Sequence, residues 1–311
     1  MKKILVTGAA GTIGLSLIRF LLSEGKYEVT ALDLKNKKVY KRLKRYRKRV
    51  NIVYGDVLDR TLIENLIKEH DAVIHLATCL PPLAEYKEEL VNIIDYNSTE
   101  NIVRAINYYN PKCYLLYGSS TSVYEEDEGD VKAKIKIGDF DYFDKAKYRS
   151  EELIRKKITN YTILRMPLVL GDLRNEPFIY NIKKNTVIET ITKEDGAYAF
   201  CSCLDKMSKV NKKTFNIGGG EDCTCTYRDL LKNILKYHGI NWNYVLTGLF
   251  GAKNYTSPVL KDSDASNKIL NYRNDTLQSY YMKQKRRSRK RKVEQLIAKP
   301  LVYILGKRGQ K

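Results

Sequence analysis

Residues 3–14 constrain the fold more tightly than any other stretch of this chain. Lys3-Ile4-Leu5-Val6-Thr7 is apolar and β-branched, the pattern of a buried strand, and it runs directly into Gly8-Ala9-Ala10-Gly11-Thr12-Ile13-Gly14. Without Cβ atoms, Gly8 and Gly11 let the backbone turn tightly and approach a pyrophosphate, and Gly14 lets the helix that follows pack on the strand. That helix carries Ile13, Leu17, Ile18, Leu21 and Leu22 on one face. It aims its free N–H groups and the positive end of its dipole at the same point. A second strand, Glu28 to Leu32, ends at Asp33. A carboxylate there can accept both hydrogen bonds of an adenosine ribose diol and would repel a 2′-phosphate. The unit reads as a site for NAD in preference to NADP, with Lys35 and Lys37 pulling the other way.

The chain has 311 residues and is 43% apolar, enough for one large core with a smaller lobe attached. Strand-like and helix-like segments alternate to about residue 165, which predicts a parallel sheet with right-handed crossovers. The expected class is α/β, a Rossmann-type doubly wound parallel sheet with a smaller C-terminal substrate lobe and a basic C-terminal tail. The division expected is 1–165 for the dinucleotide-binding domain, with strands from 166–220 able to join it, 166–280 for the substrate lobe and 281–311 for the tail. Met1-Lys2-Lys3 leads straight into strand one, and no apolar run is long enough to span a bilayer, so a cytoplasmic protein is expected.

Further segments follow the glycine loop in a fixed order. They are Gly55-Asp56-Val57-Leu58-Asp59, His75-Leu76-Ala77-Thr78, Leu116-Tyr117-Gly118-Ser119-Ser120-Thr121-Ser122-Val123-Tyr124, Leu164 to Gly171, Phe215-Asn216-Ile217-Gly218 and Asp264 to Tyr272. With the GxxGxxG spacing of Gly8, Gly11 and Gly14, they resemble the extended short-chain dehydrogenase/reductase family, the nucleotide-sugar epimerases and dehydratases, over roughly residues 3 to 275. The resemblance implies cofactor contacts from Thr7, Gly8, Gly11, Thr12, Ile13, Gly14, Asp33, Asp56, Val57, Leu76, Ala77 and Lys147. It places the adenine turn at Asp56 and the catalytic hydroxyl on Ser120. It also implies a nucleotide-sugar substrate, and it leaves a homodimer open.

The active-site segment departs from the family's Tyr-x-x-x-Lys. Lys147 and Glu151 fit, but Phe143 stands four residues before the lysine. In the motif the ammonium lies beside the phenol on one helix face and lowers its pKa. The phenol then exchanges a proton with the substrate hydroxyl while hydride moves to or from the nicotinamide. Phenylalanine exchanges no proton. Tyr142 is adjacent but points about 100° away on a regular helix, so it could substitute only if the helix starts late or the residue swings inward from a loop. A second departure is Asp95-Tyr96-Asn97-Ser98-Thr99, with Asp where the family has Asn.

The six cysteines include the pairs Cys201/Cys203 and Cys223/Cys225. Their Cys-x-Cys spacing is not that of a zinc site, and Cys201/Cys203 reads as one face of a strand, so no metal is expected. His70, His75 and His238 are too scattered for a triad or a ligand set. The net charge of +20 is concentrated in two places: residues 35–49 hold ten Lys/Arg and no acid, and residues 283–311 hold twelve Lys/Arg and one acid, Glu294. The simplest account of both is solvated surface. In the second, the basic stretch precedes Val293 to Leu305, whose apolar stripe would suit an anionic membrane surface, although Pro300 interrupts it. No nucleic-acid-binding fold accompanies the arginines, which argues against nucleic acid. Two functions follow: an NAD-dependent epimerase, dehydratase or reductase acting on a nucleotide-linked sugar, or a catalytically silent NAD-binding relative serving as a sensor or assembly partner at an anionic surface.

Overall fold

The computed structural model describes residues 1–79, 87–124, 142–171, 182–237, 242 and 259–289. Strand β1, Lys2–Thr7, pairs in parallel with β2, Tyr27–Asp33, on one side and with β4, Ala72–His75, on the other. Strand β3, Asn51–Tyr54, extends the sheet beyond β2. Strands β5, Tyr114–Ser120, and β6, Tyr161–Met166, extend it beyond β4. Strand β7, Leu168–Leu170, and β8, Val187–Thr192, leave for a second sheet, and β9, Lys213–Asn216, returns to pair with β6. The main sheet thus has the order β3-β2-β1-β4-β5-β6-β9, all parallel. Strand order reverses between β1 and β4, where an open doubly wound sheet forms its ligand crevice.

Alternation along β1 shows how the sheet is covered. Ile4 and Val6 face the helices Thr12–Glu24 and Lys193–Asp205, where Leu17, Ile18, Leu21, Ala197 and Phe200 are buried with them. Leu5 faces the opposite layer, helices Arg60–Glu69, Ser98–Tyr109 and Tyr142–Lys157, through Ile63, Ile67, Ile102, Ile106 and Ile154. With a period of two and helices on both faces, a central parallel strand has no solvated side.

The smaller sheet pairs β8 in parallel with β7 and antiparallel with β10, Thr224–Thr226. It packs with helix Tyr227–Tyr237 around Leu168, Leu170, Ile188 and Tyr227. Helix Leu277–Arg289 closes this core with Leu277, Tyr280 and Tyr281; the Tyr237 and Tyr281 rings stack at 5.5 Å. The basic C-terminal stretch therefore begins inside a packed helix. The apolar stripe Val293 to Leu305 and His238 lie outside the described residues. Among those residues no helix is long and apolar enough to cross a membrane.

Two local readings need correction. Cys201 and Cys203 lie on helix Lys193–Asp205, not on a strand. Thr192 caps that helix by accepting the Asp195 N–H at 3.2 Å, and acids occupy its first turn. Nearly every residue from 195 to 204 is buried, which leaves no 3.6 period to read in the sequence. Gly14 packs not on the strand but on the loop itself, since a Cβ there would fall 2.6 Å from the Gly8 carbonyl oxygen and 2.7 Å from that of Ala9.

Candidate active site

The glycine loop follows from one left-handed residue. Gly8 has φ +64°, and a Cβ on it would meet the Ala77 amide nitrogen at 2.7 Å. The chain after β1 therefore passes against the chain after β4, and nothing larger than glycine fits. Helix Thr12–Glu24 starts at Gly11 with no side-chain cap. A dipole end flanked only by backbone is a cradle for an anion.

Asp33 closes the outer end of the loop. Its Oδ2 accepts the Ala10 N–H at 2.8 Å and its Oδ1 the Leu34 N–H at 2.8 Å, which fixes the carboxylate at the rim and leaves lone pairs on both oxygens. Asp56 and Val57 border the same opening; Asp56 is held by the Leu58 N–H at 2.9 Å. The basic segment contributes here as well. Helix Lys37–Leu43 buries Val39 and Leu43 and turns Lys38 and Arg42, four apart, toward the cleft. Arg42 Nη1 donates to the Ala10 carbonyl at 2.9 Å. Sequence reasoning missed both residues, although their i, i+4 spacing inside the charge run was the available signal.

A cleft of about 520 Å³ runs from Asp33 and Arg42 past Gly8, Gly11, Thr12, Ile13 and Gly14, between Leu76 and Ala77, to Ser120, Phe143 and Lys147. Thr7, expected at the cofactor, does not line it. The Thr7 side chain is fully buried and accepts the Leu76 and Ala77 amides at 3.2 and 3.3 Å while contacting His75 Nδ1 at 2.7 Å. Burial, with Lys147 adding to it, lowers the His75 pKa to about 3, so this ring is a neutral strut shared between Thr7 and Ser98.

At the inner end Ser120 ends β5, and its Oγ lies 2.7 Å from that of Ser122. Lys147 comes from helix Tyr142–Lys157 and donates to the Gly118 carbonyl at 3.1 Å. Phe143, one turn earlier, also lines the cleft. It is 5% exposed, packs with Cys79, Val91 and Ala146, and sets its ring 5.5 Å from the Lys147 ammonium. Tyr142 opens the helix at 37% exposure and does not line the cleft; among the described residues no tyrosine does.

Lys147 is buried and paired with the equally buried Asp95 at 3.1 Å. Burial works against its charge, but Tyr117 and Asp95 together hold the ammonium above its ordinary range. Beneath Ser120, Ser119 donates to Glu151 at 2.6 Å, and Glu151 accepts two bonds from Arg165, at 2.9 and 2.6 Å. Burial pushes the Glu151 carboxyl up, yet Arg165 and Arg155 bring it below the usual carboxylate range. Among the described residues no cluster of side chains could hold a metal ion.

Residues 4–218 match the NAD dependent epimerase/dehydratase family. The chain is 32% identical over 136 residues to UDP-glucose 4-epimerase of Yersinia enterocolitica, a match covering 40% of this chain and 39% of that enzyme. It is 30% identical over 138 residues to UDP-N-acetyl-alpha-D-glucosaminuronate decarboxylase of Bacillus cytotoxicus, covering 41% of each. The match thus spans about two fifths of the length of these curated relatives. Among solved structures, a Tyr-to-Phe mutant of UDP-glucuronic acid 4-epimerase from Bacillus cereus, in complex with NAD and UDP-4-deoxy-4-fluoro-glucuronic acid, superposes with TM-score 0.76 at 21% identity, over 93% of this chain and 99% of that one. The dTDP-glucose 4,6-dehydratase of Streptomyces venezuelae, with NAD bound, gives TM-score 0.76 at 18% identity over 92% and 98%. The doubly wound fold is shared with both.

Proposed function

The chain belongs to the NAD dependent epimerase/dehydratase family, and from that premise we propose that its cleft binds NAD and exchanges a hydride with a carbon of a nucleotide-linked sugar. The carrying observation is that one cleft joins the glycine cradle and Asp33 to Ser120 and Lys147. Bound NAD would supply the hydride acceptor and donor. Gly8 and the start of helix Thr12–Glu24 would hold its pyrophosphate, Asp33 its adenosine ribose, and Leu76 and Ala77 the wall beside the loop. Lys147 would hold the nicotinamide ribose, and Ser120 would steady the reacting oxygen of the sugar.

Phe143 limits the rate under this reading. It exchanges no proton, and hydroxyl chemistry at the inner end falls to the Ser120 and Ser122 pair, whose groups are poor acids and bases near neutral pH. The same residue favours a second reading, in which NAD is held without turnover. Calorimetry with NAD and with NADP, followed by nucleotide sugars added to the NAD-loaded protein, tests both. Binding of NAD ahead of NADP and a further sugar-dependent heat are expected. No heat with either dinucleotide would sink the proposal; NAD binding with no response to any sugar, by heat or by hydride exchange, would leave only the silent reading.

A further inference from the structure

Asp95 occupies a position where the mechanism above has no use for it, yet it is among the most enclosed charges in the molecule. Its side chain has no exposed surface and lies 3.1 Å from Lys147, whose own side chain is 4% exposed. The Cys79 N–H donates to Oδ2 at 2.9 Å, and the Thr78 hydroxyl donates to Oδ1. The carboxylate is therefore fixed by the chain that leaves β4, and Lys147 is drawn to it from helix Tyr142–Lys157. The Phe143 ring, 5.5 Å from the ammonium, offers no charge. Asp95 itself does not line the cleft, whereas Lys147 does.

We propose that Asp95 is a positioning residue that neutralises Lys147 and so sets the charge at the nicotinamide end of the cleft, biasing the site toward the oxidised dinucleotide. This rests on the NAD reading of the cleft. The oxidised nicotinamide ring is cationic and the reduced ring is neutral, so a lone ammonium beside it would penalise the oxidised form alone. In a partly buried site, where Coulomb terms are screened less than in water, a compensating carboxylate removes that penalty. Among the described residues the groups around Lys147 are Asp95, the Gly118 carbonyl, the rings of Tyr117 and Phe143 and the neutral His75 ring. Of these only Asp95 carries charge near neutral pH, since burial raises the Tyr117 hydroxyl pKa further.

The test is the ratio of NADH to NAD dissociation constants, by calorimetry on the full chain at about pH 5, at the low end of the range to which burial brings an ammonium that loses its partner. Asp95→Asn should shift the ratio toward NADH by at least about fivefold, the scale of one charge removed from a partly screened site. Asp95→Asn combined with Lys147→Met removes both charges and should return the ratio close to that of the wild type. Should Asp95→Asn alone fail to fold, Lys147→Met reads the same pair from its other side, and its ratio must move toward NAD. A purely structural Asp95 would weaken both forms equally in Asp95→Asn, and that outcome overturns the inference while leaving NAD binding intact. Failure of the wild type to bind either form removes the NAD reading and this inference with it.

Discussion

At the Asp33 end of the cleft the recognition groups are mostly backbone or are fixed by backbone, whereas at the Lys147 end they are side chains collected from distant parts of the chain. Gly8, the uncapped start of helix Thr12–Glu24 and the Ala10 amide that holds Asp33 all come from a single run of about thirty residues. Lys147 and Asp95 are brought together across 52 positions, and Ser119, Glu151 and Arg165 meet through three separate elements. The first end follows from the fold, so a single substitution rarely rewrites it without breaking the chain path. The second depends on each side chain separately. Phe143 offers no hydroxyl at the inner end, while helix, sheet and cleft are in place around it.

That contrast can be broken by experiment. The largest effect belongs to Gly8→Val, which puts a β-branched residue at φ +64° with its Cβ 2.7 Å from the Ala77 amide. Dinucleotide binding should vanish in calorimetry and the melting temperature should fall; a variant that binds NAD normally would show that the cradle is not where the cofactor sits. Lys147→Met comes next, since it leaves Asp95 buried without its cation, at a cost of about 3–5 kcal/mol in stability. Denaturant unfolding reads this, and a loss below about 1 kcal/mol would mean that the pair is not enclosed as described.

A smaller effect concerns stability outside the cleft. Burial pushes the Asp195 carboxyl up to about 6, against the amides of Asn274 and Asp275 that it accepts at 3.1 and 2.9 Å. The folded chain therefore binds this proton more tightly than the unfolded chain, whose carboxyl has a pKa of about 3.9. Its contribution is present below about pH 4 and is lost as pH rises through about 6. Asp195→Asn should remove that part of the pH dependence, on the order of 3 kcal/mol, without altering NAD affinity. The smallest effect is Arg42→Ala, which releases the Ala10 carbonyl and should weaken NAD by about threefold to tenfold, comparable to one modest hydrogen bond. An unchanged dissociation constant would restrict the basic segment to the surface.

What the sequence made legible follows the same division. The strand, loop, helix and Asp33 were readable because their pattern is local and periodic. Ser120, Phe143 and Lys147 were readable by resemblance and do meet at one end of the cleft. The Asp95–Lys147 pair was not, because no spacing rule links residues 52 apart on different elements. Lys38 and Arg42 were hidden inside a run of like charges. Cys201 and Cys203 were misassigned because a helix buried along most of its length shows little amphipathic period.

One cleft carries the glycine cradle and Asp33 at one end and Ser120, Phe143 and Lys147 at the other, with no tyrosine among the described residues that line it. The most direct measurement is the rate at which the NAD-loaded protein forms reduced nicotinamide on mixing with nucleotide sugars, in the wild type beside Phe143→Tyr. A hydroxyl added at the buried ring changes packing volume little and would supply an acid/base beside Lys147. The variant should react at least about a hundredfold faster, at equal NAD affinity. Equal rates in the two proteins, together with loss of activity in Tyr142→Phe, would contradict it and assign the proton to Tyr142.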